Sequence, residues 1–86
     1  MSVYVDNPRH PLTHRGRRMK MCHMVADSYE EMHDMASKLG VRRYFQDHPK
    51  HPHYDICASN REKAISLGAV PVDSKTLLMK SKALIR

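Results

Sequence analysis

The 86-residue chain has the length of one small domain, and it carries a formal charge of +6. A hydrophobic content of 41% is that of a folded protein and excludes wholesale disorder, collagen and coiled-coil compositions. No apolar run approaches the ~20 residues that cross a bilayer. The first residues lack the basic-then-apolar order of a secretory signal, and two cysteines are too few for a disulfide scaffold. The expectation is therefore a single domain over residues 1–86, cytoplasmic, with no membrane partner.

In chain order, Val3 and Val5 alternate with Tyr4 and Asp6, the period of a short strand, and Asn7-Pro8 stops it. Residues 7–18 hold two Pro, one Gly, two His and four Arg with one aliphatic residue, Leu12, and read as a flexible basic loop. Met21–Ala26 is apolar and bounded, which predicts a buried strand. Ser28-x-x-Glu31 is a capping box, Met32, Met35, Ala36 and Leu39 form one helical stripe, and Gly40 supplies a left-handed stop. After a short Val41–Phe45 segment, residues 46–53 form a His/Pro-rich loop around Pro49 and Pro52. His53–Cys57 alternates as a strand. Ser59-x-x-Glu62 repeats the capping pattern, with Ala64, Ile65 and Leu67 apolar and Gly68 ending the helix. Ala69–Val72 is a short strand that Pro71 confines to an edge. Asp73 caps a last helix bearing Leu77, Leu78, Leu84 and Ile85. Strands alternating with helices predict a small α/β domain: a three- to four-stranded, mostly parallel sheet with about three helices. The modest core leaves room for a homodimer or another protein partner.

The charge is uneven. Residues 1–23 hold five bases against one acid, residues 24–40 are net acidic at −3, and the remainder is weakly basic. Arg9, Arg15, Arg17, Arg18 and Lys20 are the candidate phosphate contacts, joined by Arg61, and Tyr44 and Phe45 follow Arg42-Arg43 as bases could stack on them. The leading functional expectation is binding of nucleic acid, or of another phosphate-bearing ligand, through the basic loop. No complete helix-turn-helix, RNA-recognition or zinc-finger signature accompanies it.

A second class of function rests on acids at strand ends. Asp6 closes the first strand, Asp27 follows the second and Asp55 lies in the third, where α/β sheets bind ligands. Three converging carboxylates suit the hard ions Mg or Mn ahead of Zn. With His23 and His53 as acid–base groups, that set would constitute a phosphodiesterase or nuclease-like hydrolase. His33 flanks the buried stripe of its helix and is a further acid–base candidate. His48-x-x-His51-x-His53, with Cys22 and Cys57, offers zinc-type ligands but neither Cys-x-x-Cys nor His-Glu-x-x-His. Both cysteines read as small buried hydrophobes. The bland alternatives are turn chemistry for Asp6-Asn7-Pro8 and solvated faces for the charges. A third class is a protein-interaction module with neither cleft nor metal.

Tyr4-Val5-Asp6, His23-Met24-x-Ala26-Asp27 leading into Glu30-Glu31-Met32-His33, and His53-Tyr54-Asp55-Ile56 followed by Arg61 and Gly68-Ala69 stand in an order that resembles a small bacterial and phage family catalogued as a domain of unknown function. The resemblance runs from about residue 3 to residue 72. It implies a compact cytoplasmic domain of bacterial or phage origin and brings no activity with it. It does single out Asp6, His23, Asp27, His33, His53, Asp55 and Arg61. The 7–18 and 46–53 loops are more basic and more His/Pro-rich than that pattern.

Overall fold

A computed structural model describes residues 2–7, 10–14 and 17–85, with side chains over 2–7 and 20–85. Among them β1 (Val3–Val5), β2 (His10–His14), β3 (Arg17–Ala26), β4 (Phe45–Gln46), β5 (His53–Cys57) and β6 (Val70–Pro71) form one sheet. The helices are α1 (Tyr29–Leu39), α2 (Ala58–Ser66) and α3 (Ser74–Ala83), with a single 3₁₀ turn at Arg42–Tyr44. None is long and apolar enough to cross a membrane.

The strand order is β4-β5-β3-β1-β6, with β2 also paired to β3. The pairs β1/β3, β2/β3, β3/β5 and β4/β5 are antiparallel, and β1/β6 alone is parallel. The α/β class stands, but the sheet is mostly antiparallel and not mostly parallel as expected. Alternation of strands and helices makes neighbours parallel only when each crossover returns beside the strand it left. Here the β5–α2–β6 connection passes across β3 and β1 to the far edge. β5, β1 and β6 therefore share one direction, and the antiparallel β3 separates the first two.

β3 is the spine. Its first half pairs with β2, its last residues with β1, and its other edge with β5. Residues 7–18, expected as a loop, thus contribute strand residues 10–14, and β3 starts at Arg17 rather than Met21. A two-stranded ribbon does not require an apolar face, so its strands lack the alternation that marks a half-buried strand. Arg9 and Arg15 lie outside the described residues.

Alternation along the strands sorts the side chains into two layers. Val3, Val5, Cys22, Met24, Ala26, Tyr54 and Ile56 are buried, with the α1 stripe of Met32, Met35, Ala36 and Leu39 and with Ala64 of α2. The other face carries Asp6, His23, Val25, His53 and Asp55, and α3 lies over it through Leu77 and Ser81, whose hydroxyl donates to the Pro52 carbonyl at 2.6 Å. Met24 and Val25 are consecutive and both fully buried because helices cover both sheet faces.

The helix signals hold in two cases of three. Ser28 caps α1, its Oγ accepting from the Glu31 N–H at 3.1 Å and donating to Glu31 Oε1 at 3.0 Å, and Gly40 closes the helix at φ 76°. Asp73 caps α3 by accepting from the Thr76 N–H at 2.7 Å. The second capping box does not form. β5 runs straight into α2, Cys57 becomes the cap residue, and Ser59 falls inside the first turn with its Oγ 3.1 Å from Cys57 Sγ.

Candidate metal centre

Strand register brings four of the five expected catalytic residues together. Val5 pairs with Met24, which sets Asp6 beside His23, and His23 lies directly opposite Asp55 across β3/β5. His53 precedes Asp55 by two residues on β5 and so shares its face. The His23 and His53 rings meet edge-on with centroids 5.2 Å apart.

Asp6 is 1% exposed, and its carboxylate is engaged chiefly by His23. Oδ1 accepts the His23 backbone N–H at 2.7 Å and Oδ2 faces His23 Nδ1 at 2.8 Å, while the Ser74 hydroxyl adds a further hydrogen bond. Burial opposes ionisation, but the hydrogen bonds and charge of His23 outweigh it and hold the carboxyl below its ordinary value. The Asp6 carbonyl in turn accepts from Arg61 Nε at 2.7 Å.

These contacts set the imidazole tautomers. An ionised carboxylate only accepts, so His23 Nδ1 carries a proton and Nε2 is turned toward Asp55 Oδ1, 3.8 Å away. His53 Nδ1 faces the His51 carbonyl at 2.8 Å and must also be protonated, which turns its Nε2 to the same Asp55 oxygen at 3.3 Å. The three ligand atoms lie within 4.8 Å of one another. Atoms about 2.1 Å from a shared ion stand about 3.4 Å apart at the tetrahedral angle, so small side-chain rotations would close this set around one cation. Two imidazoles and one carboxylate, each imidazole fixed through its far nitrogen by an acceptor, are a donor set that could hold a transition-metal ion. With no ion present, His53 is drawn above its ordinary pKa. Burial acts against this and is overcome by the hydrogen bond and charge of Asp55 and by the His51 carbonyl.

The three-carboxylate site is not assembled. Asp27 lies four residues beyond His23 on the strand path, about 13 Å away by strand rise. Its carboxylate accepts from the Ser2 N–H at 2.8 Å and the Tyr4 hydroxyl at 2.9 Å, ties that outweigh burial and lower its pKa. Asp6 is bonded to His23 and is not part of the His23, His53 and Asp55 group. His33 belongs to the opposite layer, its Nδ1 2.7 Å from the buried Tyr54 hydroxyl. Cys22 is in that layer too, its thiol pushed by burial up to about 12. Cys57 is partly exposed, contrary to its expected burial, and neither thiol joins the histidines. Arg61, expected on phosphate, has a side chain only 14% exposed that anchors Asp6 and pairs with Glu62. Lys20 is exposed on β3, and Arg17 and Arg18 occupy ribbon positions opposite His14 and Thr13.

Sequence reading missed the wall facing the imidazoles. A cleft of about 230 Å³ is lined by Asp6, His23, His51 and His53 and by Ser74, Leu77, Leu78 and Ser81 of α3. Those four α3 positions fall at i, i+3, i+4 and i+7, a helical stripe that was there to be read.

No curated protein and no solved structure matches the chain. A family model does match, over residues 3–84, nearly the whole domain just described. The chain belongs to that family, DUF4031, described as proteins of unknown function.

Proposed function

We propose that the domain binds one divalent transition-metal ion through His23 Nε2, His53 Nε2 and Asp55, and uses it to hydrolyse a phosphoester. The observation that carries this reading is the convergence of both Nε2 atoms on Asp55 Oδ1, with both Nδ1 atoms held by acceptors. Two nitrogen donors favour Zn²⁺ over Mg²⁺ or Mn²⁺, which prefer oxygen. Three protein ligands leave coordination positions open, as catalytic sites require. An ion held there would lower the pKa of a bound water toward neutrality and so supply the nucleophile for hydrolysis, and the role of His23, His53 and Asp55 would be to hold and orient that ion.

Zinc and manganese titrations followed by calorimetry test the site. One equivalent should bind, and His23→Ala, His53→Ala and Asp55→Ala should each abolish it while Asp27→Ala does not. Equal uptake by all four variants would refute the reading.

The β2/β3 ribbon favours a second reading, engagement of nucleic acid. A two-stranded ribbon fits a DNA major groove, and this one lies within the segment carrying five bases. Affinity for short DNA should fall steeply with salt, with a shallower slope for an Arg15/Arg17/Arg18→Ala triple variant. Absence of binding at low ionic strength would discard it.

A further inference from the structure

The ribbon and the candidate metal centre are built on one strand. Met21 of β3 pairs with His10 of β2 along one edge and with Cys57 of β5 along the other, so the ribbon ends where the site begins. By the strand period of two, positions 17, 19 and 21 share the sheet face of His23. Lys20 is three residues from His23 and Arg17 six, about 10 and 20 Å by strand rise. Residues 7–23 hold Arg9, Arg15, Arg17, Arg18 and Lys20 and no acid. The charge at the other end of β3 is of the opposite kind, with Asp55 in the ligand group and Asp6 behind His23. Arg61, on α2, is committed to the Asp6 carbonyl and to Glu62. The ligand group is approached past Asp55, whose side chain is 41% exposed and takes no part in the cleft against α3.

Resting on the metal reading above, we infer that the phosphoester is the backbone of a polynucleotide, laid along the β2/β3 ribbon so that one phosphate reaches the ion while its neighbours meet the basic residues. The separation carries this choice. A small ester has one phosphate, and with that phosphate at the ion it cannot also span the roughly 10–20 Å of strand to positions 17–20. A polynucleotide repeats its charge. Along a duplex each strand presents a phosphate about every 3.4 Å of axis, so several fall within that distance. A basic track beside a reaction centre holds such a polymer by its backbone and reads no base sequence. Hydrolysis then adds water across one P–O ester bond of the chain, leaving a phosphomonoester on one fragment and a hydroxyl on the other.

The test compares a thymidine dinucleotide, a single-stranded thymidine oligonucleotide of about 12 residues and a small activated phosphodiester on the zinc-loaded protein. At low salt the oligonucleotide should show a kcat/KM roughly tenfold or more above that of the dinucleotide, falling steeply as salt rises. An Arg17/Arg18/Lys20→Ala triple variant should erase the length preference. It should also flatten the log–log salt slope by about two, at about 0.7 for each charge removed from a single strand. An Arg17→Lys/Arg18→Lys variant keeps the charge and should keep both. Zinc uptake by the triple variant reports that it is folded, and cleavage that persists in His53→Ala counts as no hydrolysis. Equal kcat/KM for the two lengths, cleavage of the small diester alone, or a length preference that the triple variant retains would overturn the polynucleotide and leave the metal reading standing. No zinc uptake, or uptake without hydrolysis of any of the three esters, would overturn both.

Discussion

Asp6 bonds both the main chain and the ring of His23, so one carboxylate fixes the position and the tautomer of a single imidazole. Outer partners of this kind are worth about 10–100-fold in metal affinity. Asp6→Asn should weaken zinc binding by that factor in a competition titration, with the stoichiometry retained. An unchanged affinity would leave Asp6 only a backbone role. The same residues determine the response to pH. Asp6 titrates below 3.8 in the folded chain, so its contribution to stability is complete above that value. It is lost as pH falls through the lower folded pKa, and the acid limb of the unfolding curve should flatten in Asp6→Asn. His53 has the opposite sign. Its folded pKa lies above 6.5, so the pairing with Asp55 stabilises the metal-free protein fully below 6.5 and fades as pH rises through the folded value. Zinc requires the neutral ring, so zinc affinity should climb over that same window, with proton release visible as buffer-dependent heats.

At the scale of elements, local chemistry was legible where the chain itself supplies both partners. Ser28 and Glu31 are three residues apart, Gly40 follows its helix, and Asp73 precedes its own; all three ends are placed as their residue types require. Ser28→Ala should cost about 1 kcal/mol, read as a lower denaturant midpoint at constant m value. The Ser59-x-x-Glu62 signal failed although its chemistry was sound, because the β5 strand enters α2 at Cys57 and leaves no extended residue at Ser59. The β2/β3 ribbon failed for a different reason. Its pairing is made by backbone groups, which every residue carries, while apolar periodicity reports only burial. The α3 stripe of Ser74, Leu77, Leu78 and Ser81 was written in the sequence, but its meaning depends on the sheet face it covers.

For the whole molecule, a ligand that binds the folded state alone stabilises it by mass action. At zinc concentrations about 100 times the dissociation constant the gain is about 2.7 kcal/mol. A domain of this size should then melt on the order of 10 °C higher. The shift should vanish in His53→Ala, and a zinc-independent melting temperature in the parent protein would count against the centre. The sheet that positions His23, His53 and Asp55 is mixed and mostly antiparallel, where a mostly parallel one was expected. Parallel or antiparallel pairing is decided by where a crossover lands, and α2 carries the chain past two strands before β6. The sequence by itself determined the number of helices, the caps of α1 and α3, the buried stripe of α1 and the approximate place of four strands, because these follow from residue type and local period. It also placed Asp6, His23, His53 and Asp55 among the candidates. Only the tertiary structure decided that these four meet and Asp27 does not. Register across β1, β3 and β5 sets those distances, and register depends on pairing between residues as far apart as Met21 and Cys57. The same pairing turned an expected ring of three carboxylates into two imidazoles and one carboxylate, with Asp6 behind them.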